Sequence, residues 1–420
     1  MGETSIGLRE AYEDNLLYLS DHQPSMKMER SMVTTVSPRL GFDFAPRFGS
    51  PDALNRLSLV YHPDFVTYHS DPAESFAAHR FTNSIAGKSG DFSYSVANGV
   101  YFIDGPSQGP RYVLPSGAKQ DYSVFATGFD RERRQQIQGS FALAGRYDRE
   151  AFFLRPAANL LYWDMMTDWK NNGAGLGTAT PGYINYVDRA DVNGGLDGGL
   201  KVAPELALTL GYRYGHQYQQ AFPAEVNTLA VRGRQAQSSS DYQRALVGIE
   251  GRPWDWLSLN LRGGPDFRNY NAAAPVDDRN PTVYYVEGTV AATLATNQSI
   301  SLTFKHWQWE SSIGRLPYVE NTCCLLYHWS TTERLGLDLS GRFSNQDYNP
   351  GSPTLTKNAS LRNDACFSFG IAGGYRVTSN LNVSAGYTYD IGRNLQDNVA
   401  TAAYRAFDHQ LLYAGVKLTF

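Results

Sequence analysis

The side chains best equipped for chemistry are eight histidines, three cysteines, and arginines and carboxylates set at alternate positions. His62, His69 and His79 fall close together along the chain with Asp64 and Asp71. Imidazoles and carboxylates are metal-ligand types, so these five define one candidate, a weak surface metal site. Ordinary strand and turn positions account for them more simply. His306 and His409 are the histidines to weigh for a Ser–His–acid hydrolase, which needs its three groups brought together in space. Alternation along strands sets Ser and Asp beside any histidine by chance, and neither has a distinctive pattern around it. Cys323 and Cys324 are adjacent and point to opposite faces of a strand. With Cys366 they lack the C-x₂-C spacing of a metal site. The chain has no G-x-G-x-x-G unit opening a helix, no P-loop, no H-E-x-x-H and no G-x-S-x-G. The glycine-rich stretch 171–182 has no helix after it, which argues against a phosphate cradle. Asp and Asn in 12–15 and 389–398 are oxygen ligands suited to calcium, but turn formation explains them better. The expectation is a protein without catalytic machinery, cofactor or metal.

The charges that remain are organised by strand periodicity. In LGLDLSGRF, Leu335, Leu337, Leu339, Gly341 and Phe343 share one face, while Gly336, Asp338, Ser340 and Arg342 share the other. ELALTLGYRYG and LNVSAGYTYDI alternate in the same way. One face is apolar or aromatic and the other small, polar or charged, the signature of a half-buried strand. Strands are expected over 4–14, 31–44, 53–68, 76–88, 91–104, 132–147, 149–164, 189–203 and 205–219. Nine more follow over 240–252, 255–270, 282–295, 299–310, 319–332, 334–347, 362–377, 380–391 and 405–420. The stretch 122–129 also alternates and would extend a neighbour or shift the count. Connections alternate between short and long, the long ones rich in Gly, Pro, Asn, Asp and Ser.

Bulk properties narrow the class. A soluble chain of 420 residues would hold two or three domains. Here 13% of residues are aromatic, 39 are glycine and the net charge is −4, which is no nucleic-acid footprint. No apolar run approaches the roughly 18 residues of a transmembrane helix. The opening MGETSIGLRE lacks the basic and apolar segments of a signal peptide, so none is expected within this chain. Many of the strands exceed the usual globular length of about 5–6 residues. Long strands, an even count, aromatic enrichment and alternating turn lengths describe an all-β fold, a transmembrane antiparallel β-barrel. About 18 strands are expected, with 16–18 compatible, in one domain over 1–420. A soluble propeller would have shorter strands and a repeated blade motif.

In lipid the apolar alternates face outward. That assigns Arg146, Arg213, Arg262, Asp338, Arg342, Arg376, Asp390 and Lys417 to the lumen, as a solvated wall or as ion-paired crosslinks. Trp254, Trp256, Tyr375 and Tyr387 are candidates for an aromatic belt near the short turns. Trp307 and Trp309 share parity with Lys305, so either they point inward or a bulge near His306 flips the register.

Three stretches carry a family resemblance: the opening IGLREAYEDNLLYL, the hairpins such as VGIEGRPWDWLSLNLRGG, and the closing YRAFDHQLLYAGVKLTF. The chain resembles bacterial outer-membrane β-barrels, most closely the β-barrel porin type 2 family. The resemblance implies a bacterial outer-membrane location, short periplasmic turns and long extracellular loops. It implies that Phe420, with Leu412, Ala414, Val416 and Leu418, forms the assembly signal. The partners implied are outer-membrane lipid, the assembly machinery and a periplasmic or envelope-complex protein. Strands begin near residue 4, leaving no room for the plug of an energy-coupled receptor. The expected function is a porin-like channel for passive diffusion of small solutes or ions. The alternative is a dedicated polysaccharide-export or structural sleeve barrel, since some members are linked with polysaccharide secretion loci. A loop-based adhesion surface is a third reading without a motif. Monomer and trimer both accommodate the pattern. Deletion of Phe420 is expected to reduce the heat-modifiable, folded band in outer-membrane fractions while leaving channel properties of the assembled remainder unchanged. Normal levels of folded protein would contradict the signal assignment.

Overall fold

The computed structural model describes residues 2–16, 30–44, 53–105, 134–164, 166, 188–220, 238–271, 278–310, 317–347, 363–395 and 406–420. Their elements are strands and one short 3₁₀ turn, Pro72–Glu74. The first ten strands are β1 (Gly2–Glu13), β2 (Ser31–Phe44), β3 (Arg56–Tyr61), β4 (Asp64–Tyr68), β5 (Phe76–Ser89), β6 (Phe92–Gly105), β7 (Arg134–Asp148), β8 (Phe152–Asp164), β9 (Arg189–Ala203) and β10 (Leu206–Gln219). Then come β11 (Ser240–Trp254), β12 (Leu257–Tyr270), β13 (Thr282–Ala295), β14 (Gln298–Trp309), β15 (Tyr318–Ser330), β16 (Leu335–Asp347), β17 (Asn363–Arg376), β18 (Leu381–Asn394) and β19 (Phe407–Thr419). All pair antiparallel with their neighbours, and β1 pairs with both β2 and β19, so the sheet closes into a barrel.

The nineteen segments occupy eighteen positions around the barrel, because β3 and β4 lie end to end between β2 and β5. The sequence pattern treats 53–68 as one strand. The break has a local cause: the register on both sides sets Pro63 opposite Pro38. Neither residue has an N–H to give to the ladder, so pairing lapses there and resumes unchanged. The other strands fall within a few residues of their expected bounds, and β9 matches at both ends. The segment 122–129 lies outside the described residues. Turns such as Gly90–Asp91 are tight, and Gly90 adopts φ 59°, a conformation glycine reaches at little cost.

Side-chain exposure separates the two faces. On β10, Leu208, Leu210, Tyr212 and Tyr214 are 49%, 68%, 48% and 52% exposed, while Arg213 and Gln217 are 5% and 1% exposed. The apolar alternates therefore form the outer surface and the polar ones the inner wall. Trp254 and Trp256 stack on the outer surface at the β11–β12 turn, with ring centroids 5.8 Å apart. Tyr375 is exposed near its turn. Tyr387, expected beside a turn, lies mid-strand and donates its hydroxyl to Gln410 Oε1 at 3.0 Å. The reason is the length of β18, which places Tyr387 six residues past Leu381. At the opposite end, outward polar residues form a ladder across β14–β17. His306 Nδ1 meets Asn321 Oδ1 at 2.6 Å, Asn321 donates to Asn345 at 3.3 Å, and Asn345 donates to Asn363 at 2.5 Å.

The closing seam carries its own polar lock. His409 on β19 is fully buried, with Nδ1 3.1 Å from Asp390 Oδ2 and Nε2 2.9 Å from Glu13 Oε1. It thereby ties β18 and β1 together across β19, and Ser368 on β17 donates to the other oxygen of Asp390. Replacing His409 with Leu sets two buried carboxylates near each other without the imidazole between them. That loss should lower stability by about 3–5 kcal/mol, read as an earlier urea-unfolding midpoint in detergent or lipid. An unchanged midpoint would deny the seam this role.

Candidate functional site

The inner wall of β7–β15 is the part of the molecule where charged side chains converge. Inward alternates on adjacent strands lie close enough to meet directly across the ladder or diagonally. Asp197 on β9 is a hub. Arg213 Nη1 lies 2.7 Å from its Oδ1, Arg155 Nε 3.0 Å from Oδ2, and Arg262 Nη1 3.8 Å from Oδ2. Glu250 on β11 is a second hub, 2.9 Å from Arg146 and 2.8 Å from Arg155. Arg146 also pairs with Asp148 at 2.7 Å, and Arg262 pairs with Glu287. The Arg146 guanidinium lies 3.7 Å over the buried Phe153 ring. Two inner glycines make this density feasible. A Cβ at Gly211 would strike the Asp197 carboxylate, and one at Gly215 would strike the Tyr242 ring. Four arginines, with Lys201 3.2 Å from Asp148, thus face Asp148, Asp197, Glu250 and Glu287, so this wall is crosslinked by charges of both signs.

A second tier lies toward the long-loop end and is more deeply buried. Arg268 donates to Gln217 Oε1 at 2.6 Å and lies 3.1 Å from Asp266, while Arg244 lies 2.7 Å from the same carboxylate. Asp191 accepts from Gln217 at 2.7 Å and from Tyr242 at 2.9 Å. Gln308 on β14 donates to Tyr270.

This tier holds the end of the β14–β15 hairpin inside the barrel. Pairing of β14 with β13 stops at Val286–His306, whereas β14 stays paired with β15 as far as Trp309–Tyr318. Beyond His306 the hairpin therefore leaves its neighbour and leans inward. Gln217 and Arg268 both donate to the Gln308 carbonyl, at 3.2 and 3.0 Å. Arg189 on β9 donates to the Glu310 carbonyl at 2.8 Å and to the Tyr318 hydroxyl at 3.2 Å. Trp309 meets Trp163 of β8 edge to face, centroids 5.5 Å apart, with Arg189 lying 4.6 Å over the Trp163 ring. β8 and β14 are six strands apart, so these contacts cross the lumen. The tryptophans point inward, and β14–β15 pairing runs through His306 without a register shift.

Of the eight arginines, lysine and aspartates assigned to the lumen from sequence, Arg146, Arg213 and Arg262 meet in the first tier. Asp390 lies in the seam, and Asp338 pairs with His328 at 2.7 Å. Arg342 is half-buried on the inner parity of β16, and Arg376 and Lys417 are exposed near the short-turn end. Arg155, Asp197, Glu250 and Glu287, and in the upper tier Arg189, Arg244, Asp266 and Arg268, are wall residues beyond those expected from sequence. Their inward parity was the available signal. On the outer face Leu412, Val416, Leu418 and Phe420 are large exposed hydrophobics, and Ala414 is exposed between them. The three clustered histidines go separate ways: His62 lies 4.0 Å from Asp64, His69 meets Thr34, and His79 meets Tyr61.

No family model matches the chain, and no curated protein matches it. Solved structures similar to it include Pseudomonas aeruginosa OpdK with vanillate, at 11% identity and TM-score 0.46, covering 100% of this chain and 99% of that one. Pseudomonas aeruginosa OccK11 (OpdR) matches at 12% identity and TM-score 0.44, covering 100% and 96%. The FrpB iron transporter from Neisseria meningitidis (F5-1 variant) matches at 10% identity and TM-score 0.46, covering 100% and 82%. Likeness at this level assigns neither solute nor mechanism.

Proposed function

We propose that this chain is a porin-like outer-membrane channel through which small polar solutes and ions diffuse passively. The observation that carries this reading is the contrast between its two faces. The outer face is a band of exposed apolar and aromatic side chains suited to lipid. The inner wall carries fixed, paired charges of both signs, a surface suited to water and polar solutes. A barrel of this strand number is wide enough for an aqueous lumen. In this reading 1–420 forms one barrel domain, embedded by the assembly machinery in outer-membrane lipid. The tight turns face the periplasm, where an envelope partner would bind.

The inward end of the β14–β15 hairpin is the constriction in this reading. Gln308, Trp309 and Glu310 are held across the lumen by Arg189, Arg268 and Trp163. Arg146, Arg155, Arg213 and Arg262 line the wall toward the periplasm, balanced by acids, so selectivity between cations and anions is modest. Dedicated polysaccharide export would be served by aromatic faces spaced along the pore. Trp163 and Trp309 instead pack against each other at one level, which favours diffusion over that alternative.

Purified protein in planar bilayers is expected to give discrete, weakly selective conductance steps. A barrel that stays sealed at every voltage would overturn the channel reading. Arg189→Ala removes the main cross-lumen clamp and should raise single-channel conductance. Asp197→Asn should shift the reversal potential toward anions. It also leaves the buried Arg213 uncompensated, at a stability loss of about 3–5 kcal/mol.

A further inference from the structure

The outer surface of β5 and β6 breaks the rule that governs the rest of the barrel. Asn83 and Asn98 sit directly opposite each other in the β5–β6 ladder. Both have outward parity, shared with Phe81 and Ile85 on β5 and with Val96 and Val100 on β6. The row through them runs from Leu59 on β3 to Phe141 on β7. Phe81, Val100 and Phe141 are exposed on this patch. On β6 the pattern reads Phe92, Tyr94, Val96, Asn98, Val100, Phe102, so Asn98 stands midway between the aromatic residues at its two ends. Neither amide is fully buried, and among the described residues neither side chain makes a hydrogen bond.

Other outward polar groups behave differently. His306, Asn321, Asn345 and Asn363 lie toward the loop end and satisfy one another in a ladder. Asn83 and Asn98 have the apolar band on both sides. An amide carries two donors and an acceptor, and acyl chains supply no partner for either. Exposure of such groups to hydrocarbon costs several kcal/mol unless they are paired.

We infer that the β5–β6 face, centred on Asn83 and Asn98, is the contact through which two copies of this barrel dimerise in the membrane. The partner must itself be membrane-embedded and must present donors and acceptors at this depth. A second copy meets both conditions. Inserted the same way round, it carries the same two amides at the same height. A two-fold axis along the membrane normal then sets one pair against the other, each amide donating and accepting. Isologous contacts of this kind are the commonest route to a closed oligomer, and polar side chains serve as the adhesive between membrane-embedded elements.

The test uses the full chain in lipid vesicles, with Cys323, Cys324 and Cys366 replaced by Ser and one cysteine introduced. Val100→Cys beside the amides is expected to give a disulfide-linked dimer on mild oxidation. Val247→Cys, on the outer face of β11, is expected to give none. Adding Asn83→Leu and Asn98→Leu should lower the dimerisation constant about tenfold or more, read by single-molecule photobleaching across protein-to-lipid ratios. Heat-modifiable mobility verifies that the Leu variant is folded, which is expected because both changes suit a lipid-facing position. A monomeric wild-type barrel at all ratios, linkage through position 247 instead, or a folded Leu variant that dimerises as before would each overturn the proposal. Capture of a different membrane protein at Val100→Cys with no dimer would overturn it as well.

Discussion

Pairing of the backbone governs everything else in this molecule. A sheet edge in hydrocarbon leaves amides and carbonyls with no partner, so an antiparallel sheet in lipid must close. Here the closure is the β1–β19 ladder, nine paired positions from Ser5–Thr419 to Glu13–Leu411. Once the sheet is closed, the two-residue period of a strand divides every side chain into an outer and an inner class. The exposed leucines of β10 and its buried arginine are consequences of that one constraint. The seam is also where the first and last strands, far apart in sequence, must find each other. That long-range pairing is reinforced by side chains, as His409 joins Asp390 and Glu13 on the strands either side.

The inner wall is shaped by a different balance. Charges placed inside a closed barrel lose part of their hydration, and each needs a partner of opposite sign or several hydrogen bonds. Asp197 serves Arg155, Arg213 and Arg262 together, while Glu250 serves Arg146 and Arg155. Sharing of this kind works because the two oxygens of a carboxylate accept several hydrogen bonds, while the planar fork of donors on Arg155 lets it bridge Asp197 and Glu250. The glycines opposite Asp197 and Tyr242 show the same economy of space: the side chain omitted on one strand is the room occupied by a larger one on the next. The wall is thereby stiffened from within, and its charges are fixed in position.

Much of this was legible in the sequence, for a physical reason. Alternation and turn chemistry are local, so strand bounds such as 189–203 and the inward sense of Arg213 follow from neighbours along the chain. For Trp309 the sequence leaves both an inward side chain and a register flip open, and only the β14–β15 pairing decides between them. The Pro38–Pro63 juxtaposition was hidden, because it depends on the register between two strands. The partners of the arginines were hidden for the same reason. Arg146 reaches Glu250 from four strands away, and Arg189 reaches Tyr318 from six. Such contacts depend on the stagger of the whole barrel and on where the β14–β15 hairpin departs from β13, and neither is written in any short stretch. Tyr387 shows the opposite failure: a residue placed near a turn by type alone proves to lie mid-strand.

Two places depart from the rules that the rest of the barrel obeys, and they depart in opposite directions. At β13–β14 the wall gives up ladder pairing and moves backbone into the lumen. The carbonyls of Gln308 and Glu310 are there met by Gln217, Arg268 and Arg189. Irregular backbone is tolerated at membrane depth where it is buried in protein or lines a cavity, and this hairpin end satisfies that condition through buried arginines. At β5–β6 the ladder is intact and the side-chain pattern fails instead, with two amides turned toward lipid. A sequence that is otherwise consistent across strands keeps such exceptions where they serve a purpose. The inward exception is held by side chains of β9, β10 and β12. The outward one leaves two amides without a hydrogen bond among the described residues, and the proposed contact with a second copy would supply partners at the same depth.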